Sequence, residues 1–324
     1  MKKISTLLSL LILGNLTLQS HAMVKNKLRI AEESKIIASS VLVESDIANR
    51  IESYIPLYEA QRKKYYEMLC NTQWGSVAKQ YIEQFAREEK ELIDDFCRLM
   101  EITEQQFEQC KTDWRQDYLL ARDSYVEKKD IISGSWIDAR INHILNYLGF
   151  ESGKIKIIQD NGLGKADMSA AENFIGIKVQ SYNALTWQEF DAIALHEIVH
   201  ILHEDVYFRY IQRVIFEWAL SRKENEDLKN NLEKIYKNFH IRRNHFTERR
   251  ADTLAGLVSP LYALALAQNL EHDGYITLQN FKKLTGVRWA SGIDEPNETH
   301  PKFSTRAAYL QKLYTEMKEA INKR

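Results

Sequence analysis

One short segment of the chain combines residue types and a spacing that suit metal-dependent hydrolysis. It is His196-Glu197-Ile198-Val199-His200, an H-E-x-x-H pattern. Residues four positions apart lie on one face of a helix, so both imidazoles can point at one metal ion, and the adjacent glutamate can reach a water molecule on it. A catalytic zinc ion needs this arrangement, a third protein ligand and one open position for water. The competing interpretation is two core histidines beside a solvated glutamate.

A third ligand and a supporting carboxylate are predicted 48 residues after His200. The segment E-R-R-A-D runs from Glu248 to Asp252, and both carboxylates lie on one face of a predicted helix. Glu248 is the candidate ligand, and Asp252 is the candidate acceptor for the free N–H of a ligand histidine. The nearby arginines also suit a solvated helix face, but the following residues are largely apolar, and buried carboxylates need a strong partner. His245 is the main rival for the third position.

The elements that must position this site are predicted to be mostly helices. Glycine (12) and proline (4) are scarce among the 324 residues, which favours long helices. Thr186 and Glu189 have the spacing of a capping box, and they predict the start of a helix that carries the H-E-x-x-H pattern as far as Leu202. A second helix is predicted to carry Glu248 and to continue through Leu257.

The pattern of residues changes after Ile132, because ten of the twelve glycines follow it. Strands rich in β-branched residues are predicted over Lys154–Gln159 and Phe174–Gln180, and the length favours about two domains. We therefore predict a helical N-terminal region over 23–132 and a site-bearing domain over 133–324. The expected class is α+β, predominantly helical, with a small antiparallel or mixed sheet. Breaks between the N-terminal helices are predicted near Pro56, Asn71–Gly75 and Glu101–Thr103.

The first residues of the chain have the pattern of an export signal. Lys2 and Lys3 precede an apolar run, and Ser20 and Ala22 supply the small residues that a signal peptidase accepts. We predict a signal peptide over 1–22 and an exported protein, periplasmic or secreted. A membrane anchor is the alternative, but polar residues interrupt the run before it reaches spanning length. No later segment reaches that length, so no integral membrane segment is expected after signal removal.

Charge and cysteine content exclude other classes of protein. Lys and Arg (44) nearly balance Asp and Glu (45), so no basic excess is present to bind a phosphate backbone, and nucleic acid is not expected as a partner. The spacing of Cys70, Cys97 and Cys110 matches no zinc motif. An exported protein permits at most one disulfide among the three, and free buried thiols fit equally well.

A further element near the C-terminus completes a resemblance to a known family. Thr299-His300-Pro301 is followed after four residues by Arg306, a T-H-P-x-x-x-x-R element. In this order, H-E-x-x-H, E-x-x-A-D and T-H-P-x-x-x-x-R resemble the gluzincin metallopeptidases related to the heat-shock protease HtpX and the CAAX-prenyl endopeptidase. The resemblance covers residues 133–324 and implies a zincin-like metallopeptidase domain.

The resemblance implies a zinc-dependent endopeptidase with one Zn²⁺ per chain. Glu197 would be the general base for the water molecule on zinc. Asp252 would not bind the metal itself but would accept a hydrogen bond from a ligand histidine. The implied zinc ligands are His196, His200 and Glu248.

The resemblance also implies how the transition state and the substrate are bound. His300 or Arg306 would stabilise the oxyanion, although Arg306 could instead pin the preceding loop through a carboxylate. The strand Phe174–Gln180 resembles the edge strand of the family, to which an extended peptide could add. The implied substrates are proteins or peptides of the exported or envelope fraction.

Three alternatives stay open at this level. Anti-repressor gluzincins of the ImmA/IrrE type share the first two motifs. A non-catalytic or chaperone-like protein could bind clients through the helical region on the same fold. A metal-independent helical protein could carry these motifs by chance. The sequence leaves the oligomeric state open.

Overall fold

The computed structural model describes residues 58–126, 128–150, 155–160, 168–171, 174–178, 185–271 and 301–323. These residues form a predominantly helical structure with a small mixed sheet, so the predicted α+β class is confirmed. The predicted signal peptide lies outside them. The described helices are α1 (residues 58–70), α2 (Gly75–Met100), α3 (Glu104–Asp113), α4 (Arg115–Val126), α5 (Trp136–Tyr147), α6 (Trp187–Leu202), α7 (Asp205–Ser221), α8 (Glu226–Gly256), α9 (residues 260–271) and α10 (Phe303–Asn322). The described strands are β1 (Lys156–Gln159), β2 (Met168–Ala171) and β3 (Phe174–Ile177).

The helix with the H-E-x-x-H pattern, α6, begins and ends where the sequence predicts. Thr186 and Glu189 form the predicted capping box, in which each side chain accepts a hydrogen bond from the backbone N–H of the other. The helix ends at Leu202, and α7 begins only three residues later, at Asp205. The turn between them needs a left-handed residue, and Glu204 takes that conformation with a φ of 53°, which is uncommon for a residue other than glycine.

Helix α8 carries Glu248 and Asp252, and it packs against α6, α2, α7 and α10. Its N-terminal half is largely exposed, whereas most residues from Arg243 to its end at Gly256 are buried. The prediction of a helix through this segment is confirmed to within one residue of Leu257. The buried half brings the two carboxylates against α6.

The sheet has the order β1-β3-β2, with β1 parallel and β2 antiparallel to β3. The prediction that the Phe174–Gln180 strand is an edge strand is therefore wrong, because β3 has a partner on each side and cannot add a peptide. Strand β2 was not predicted, since Met168-Ser-Ala-Ala lacks the β-branched residues that favour strands. It packs against α6 and α7, and no other described strand pairs with its outer edge.

The N-terminal helices share one hydrophobic core with the rest of the described chain. A single cluster of buried side chains includes Tyr65 of α1, Phe96 of α2, Ile198 of α6, Leu254 of α8 and Leu310 of α10. One core thus spans both of the regions that the sequence pattern separates.

Two of the predicted breaks between N-terminal helices are confirmed, at 71–74 and 101–103. The first requires Gly75, because a Cβ at this position would lie 1.9 Å from the backbone oxygen of Cys70. The third predicted break, at Pro56, lies outside the described residues. All three cysteines are free, so the one disulfide that the sequence permitted is not formed. Among the described helices, none combines the length and the apolar character that crossing a membrane requires.

Candidate metal centre

Two imidazoles and one carboxylate converge between α6 and α8. The Nε2 atoms of His196 and His200 lie 3.1 Å apart. The Glu248 carboxylate faces both of them, with Oε2 3.5 Å from His196 Nε2 and Oε1 3.6 Å from His200 Nε2. All three residues are buried, at 7%, 9% and 7% exposure. Together they form a buried group that could bind a metal ion.

The separations within this group fit a small tetrahedral cation. Bonds of about 2.0–2.1 Å to nitrogen and oxygen place neighbouring ligand atoms of a tetrahedron about 3.3–3.4 Å apart. The 3.1 Å between the two Nε2 atoms, and the shortest approaches to Glu248 of 3.5 Å through Oε2 and 3.6 Å through Oε1, are close to this value. Three ligands would leave the fourth corner of the tetrahedron for water or substrate.

The imidazole of His196 is held from behind by a buried carboxylate. Its Nδ1 lies 2.8 Å from Oδ1 of Asp252, which has no exposed surface. Arg306 donates to both oxygens of Asp252, each at 2.7 Å, and the Tyr309 hydroxyl donates to Oδ2 at 2.6 Å. Asp252 thus has the supporting position that the sequence predicts for it. Contacts of this kind fix the orientation of a ligand histidine.

The imidazole of His200 is held by a second buried carboxylate that the sequence analysis missed. Its Nδ1 lies 2.8 Å from Oδ2 of Asp205, the first residue of α7. Asp205 Oδ1 accepts a hydrogen bond from Arg250, and Arg243 lies 3.8 Å from the same oxygen. Both arginines are buried, so they do not belong to a solvated face. The feature of the sequence that could have indicated Asp205 is its position, five residues after His200 and just past the end of the helix.

The electrostatic environment keeps the carboxylates of the centre negative. Burial acts to raise the pKa of Glu248, but His196 and Arg306 outweigh it and hold that pKa well below its usual range. Burial is likewise outweighed at Asp252, chiefly by Arg306, and its pKa is also lowered. Burial acts to lower the pKa of His196, whereas Asp252 and Glu248 raise it to about 10. A metal ion that binds His196 must therefore displace a proton.

Glu197 lies on α6 between the two histidines in sequence and is not part of the ligand group. Burial raises the pKa of its carboxyl above the usual range, although the positive charges of His196 and His200 oppose the shift. Glu248 raises this pKa further, and Arg306 lowers it. A carboxylate whose pKa is raised is a stronger proton acceptor than an ordinary glutamate.

The other sequence candidates lie in different places. His300 lies outside the described residues. Arg306 is buried in α10. In addition to its contacts with Asp252, it approaches Glu248, with Nη1 3.3 Å from Oε2. His245 is not in the ligand group. It lines a separate cavity of about 360 Å³ between α2, α8 and the start of α10, together with residues such as Glu91 and Phe246.

No protein-family model, curated protein or solved structure matches the chain.

Proposed function

We propose that this chain is a zinc-dependent metallopeptidase of the gluzincin type, similar to the family that its three motifs resemble. The observation that carries the proposal is the convergence of His196, His200 and Glu248 at separations suited to one tetrahedral cation. A buried carboxylate behind each histidine adds support, because such carboxylates fix the tautomer that leaves Nε2 free for a metal.

Two imidazole nitrogens and one carboxylate oxygen are a donor set that zinc takes in hydrolytic enzymes. When bound, Zn²⁺ would polarise a carbonyl group and lower the pKa of a water molecule from about 15.7 toward about 7. His196, His200 and Glu248 would hold it. The depressed pKa values of Glu248 and Asp252 keep both carboxylates ionised, so Glu248 needs to lose no proton before it binds a cation.

Glu197 is the general base of the proposed reaction. Its carboxylate accepts a proton from the attacking water and later delivers that proton to the nitrogen of the departing amine. The raised pKa of Glu197 suits the first step, because a carboxylate with a higher pKa accepts a proton more readily. Glu197 is not needed to bind a metal, and its place beside the ligands therefore favours an enzyme over a binding protein.

Strand β2 is the element proposed to bind the substrate. It packs against α6, and no described strand pairs with its outer edge. An extended peptide could add to this edge through backbone hydrogen bonds, which recognise little of the side-chain sequence. The predicted export signal makes proteins or peptides of the exported or envelope fraction the proposed substrates, with the mature protein periplasmic or secreted.

Metal analysis of the purified mature chain tests the metal-binding part of the proposal. The wild type is expected to retain one Zn²⁺ per chain, and Glu248→Ala is expected to lose it, because one of three protein ligands is removed. Iron also binds two histidines and a carboxylate, so the analysis must identify the element. A wild type that contains no metal and takes up none from added Zn²⁺ would contradict the proposal.

Hydrolysis of an unfolded protein such as casein tests the catalytic part. Glu197→Gln keeps the size of the side chain and all three ligands, so we expect it to retain zinc while cleavage falls by roughly 100-fold or more, the range for loss of a general base. Removal of zinc by a chelator should abolish wild-type cleavage, and added Zn²⁺ should restore it. Zinc binding without cleavage of any protein would favour the non-catalytic, client-binding alternative.

A further inference from the structure

The turn that presents Asp205 to His200 is held by the N-terminal helices at three successive positions. The hydroxyl of Tyr66, in α1, is 2.9 Å from Nε2 of His203. Arg115, the first residue of α4, forms a partly buried ion pair with Glu204. Asp205 is reached from the same region by a longer connection. The left-handed backbone of this turn would favour glycine, so these contacts help to maintain it with Glu204 in place.

The longer connection runs from Asp205 through Arg250 to Glu89 of α2. Arg250 has no exposed surface. Its Nη2 donates to Asp205 Oδ1, and its Nη1 donates to Glu89 Oε1 at 2.6 Å. Asp205 in turn contacts His200 Nδ1 through its other oxygen. Four side chains thus form a continuous chain of charge-assisted hydrogen bonds from an N-terminal helix to a ligand of the metal centre.

Glu89 also balances the charge of this network. Two buried guanidinium groups, of Arg250 and Arg243, lie next to the single carboxylate of Asp205. Without Glu89, the positive charge of Arg250 would be compensated by Asp205 alone. That change would raise the electrostatic potential around His200 and pull Asp205 away from its imidazole. Both effects weaken the binding of a cation.

We propose that Glu89 is a positioning residue for the metal centre, which acts on His200 through Arg250 and Asp205. The inference rests on the metal centre proposed above, and it assigns a role to the N-terminal helical region. In this role, α2 supplies the last contact that supports the metal centre. The N-terminal helical region would then act on the centre itself and not only bind client proteins.

The chain offers a matched control in the residue next to Glu89. Glu88 and Glu89 are both on α2, their side chains are 30% and 28% exposed, and each forms an ion pair with an arginine of α8. Glu88 pairs with Arg249, which has no contact with Asp205 or with either histidine among the described residues. Glu88→Gln therefore removes the same charge from the same helix without breaking the connection to His200.

The test is the affinity of the full mature chain for Zn²⁺, measured by competition with a chromogenic chelator. Glu89→Gln is expected to lower the affinity about 10-fold, the lower end of the range for residues that support a metal ligand. Glu88→Gln should leave it within about twofold, because water and salt screen a partly exposed charge. Glu89→Asp, which keeps the charge on a shorter side chain, should give an intermediate affinity and serves if Glu89→Gln does not fold.

Two further measurements separate a positioning role from a structural one. The absorption spectrum of the Co²⁺-substituted protein should change in Glu89→Gln and not in Glu88→Gln, because it reports the ligand geometry. Urea unfolding of the chelator-treated proteins shows how much each substitution lowers the free energy of unfolding in the absence of metal. Equal Zn²⁺ affinities and unchanged Co²⁺ spectra in both variants would overturn the inference and leave the proposed function intact. A wild type that binds no metal would overturn both.

Discussion

The two histidines of the candidate metal centre are supported by similar groups that come from opposite ends of the described chain. Behind His196, Asp252 is held by Arg306 of α10, the last helix. Behind His200, Asp205 is held by Arg250, and that arginine is anchored to Glu89 of α2. In both networks a buried carboxylate fixes the imidazole and a buried guanidinium fixes the carboxylate.

The two networks differ in how completely their charges are compensated. Asp252 faces one guanidinium, and Arg306 has a second carboxylate, Glu248, 3.3 Å away. Asp205 faces two buried guanidinium groups, and one of them, that of Arg250, also pairs with Glu89. The His196 network is therefore closed within the centre, whereas the His200 network needs the N-terminal helices. The two networks therefore connect the candidate centre to helices from both ends of the described chain.

Removal of either supporting carboxylate charge is expected to have the largest effect, and the two changes should differ. Asp205→Asn and Asp252→Asn each remove one partner of a buried ion pair and leave less negative charge beside the buried guanidinium groups, which costs about 3–5 kcal/mol of unfolding free energy. We expect Asp205→Asn to be the more destabilising, because Asp205 balances two buried guanidinium groups and Asp252 balances one. Arg250 would keep Glu89 and Arg306 would keep Glu248, but Arg243 would lose the carboxylate that lies 3.8 Å from it. Each change should also lower Zn²⁺ affinity by about 10–100-fold. Urea unfolding and chelator competition measure the two quantities.

Asp160→Asn is the control for this comparison. Asp160 is also buried, at 2% exposure, and it forms hydrogen bonds with Lys129 and Tyr125 away from the two histidines. Its replacement should lower stability while the Zn²⁺ affinity stays that of the wild type. If Asp205→Asn and Asp252→Asn behave like this control, the two networks are structural only.

Arg306→Lys tests the His196 network with a smaller change. Lysine keeps the positive charge but cannot make the paired contact to both oxygens of Asp252. We expect Zn²⁺ affinity to fall about 10-fold, with a matching loss of activity at low zinc that excess zinc restores. Arg249→Lys, in which the guanidinium faces Glu88 instead, should bind zinc like the wild type.

The same variant separates two roles for Arg306. A residue that stabilises the oxyanion would lower kcat and kcat/KM together at saturating zinc, with metal affinity unchanged. The bidentate contact to Asp252 favours the positioning role. If Arg306→Lys remains slow when it is saturated with zinc, the result would support a role for Arg306 in stabilising the oxyanion.

The helical parts of this centre could be predicted because their signals are local. His196 and His200, like Glu248 and Asp252, lie four residues apart, and each spacing fixes a shared face before the neighbours of the helix are known. The capping box at Thr186 likewise needs only four residues to be recognised. These are the elements whose bounds the structure confirms.

The missed parts depend on contacts between distant residues or on unusual backbone. Asp205 contacts His200 across a turn in which Glu204 takes a left-handed conformation. This conformation is uncommon for glutamate, so the residue type does not predict it. Arg250 and Glu89 are 161 positions apart. The order of strands is also set by packing, so the pattern of Phe174–Gln180 predicted a strand correctly but assigned it wrongly to an edge.

The smallest expected effect concerns His203, which belongs to the side of the centre held by the N-terminal helices. Burial, and next the charge of Arg250, hold the pKa of its imidazole well below 6.5, so it is neutral in the folded chain. The unfolded chain takes up a proton at this residue below about pH 6.5. Stability that is present above this pH is therefore lost as the pH falls, by at most about 1.4 kcal/mol per pH unit.

Replacement of His203 by glutamine should remove this contribution to the slope between about pH 6.5 and pH 4.5. The raised pKa of Glu197 acts in the same range with the opposite sign, so the difference between wild type and variant is the quantity that isolates His203. Glutamine can still accept a hydrogen bond from Tyr66. His196 does not mask the effect. Its pKa is raised to about 10, so its contribution to stability is fully present below about pH 6.5 and is lost as the pH rises from there through about 10. Asp205 and Asp252 affect stability only below about pH 4, where unfolded carboxylates become protonated. Urea unfolding of chelator-treated protein across this range measures the slope. In Tyr66→Phe the imidazole remains, so the slope should persist, and a wild-type slope in His203→Gln would place the titrating group elsewhere.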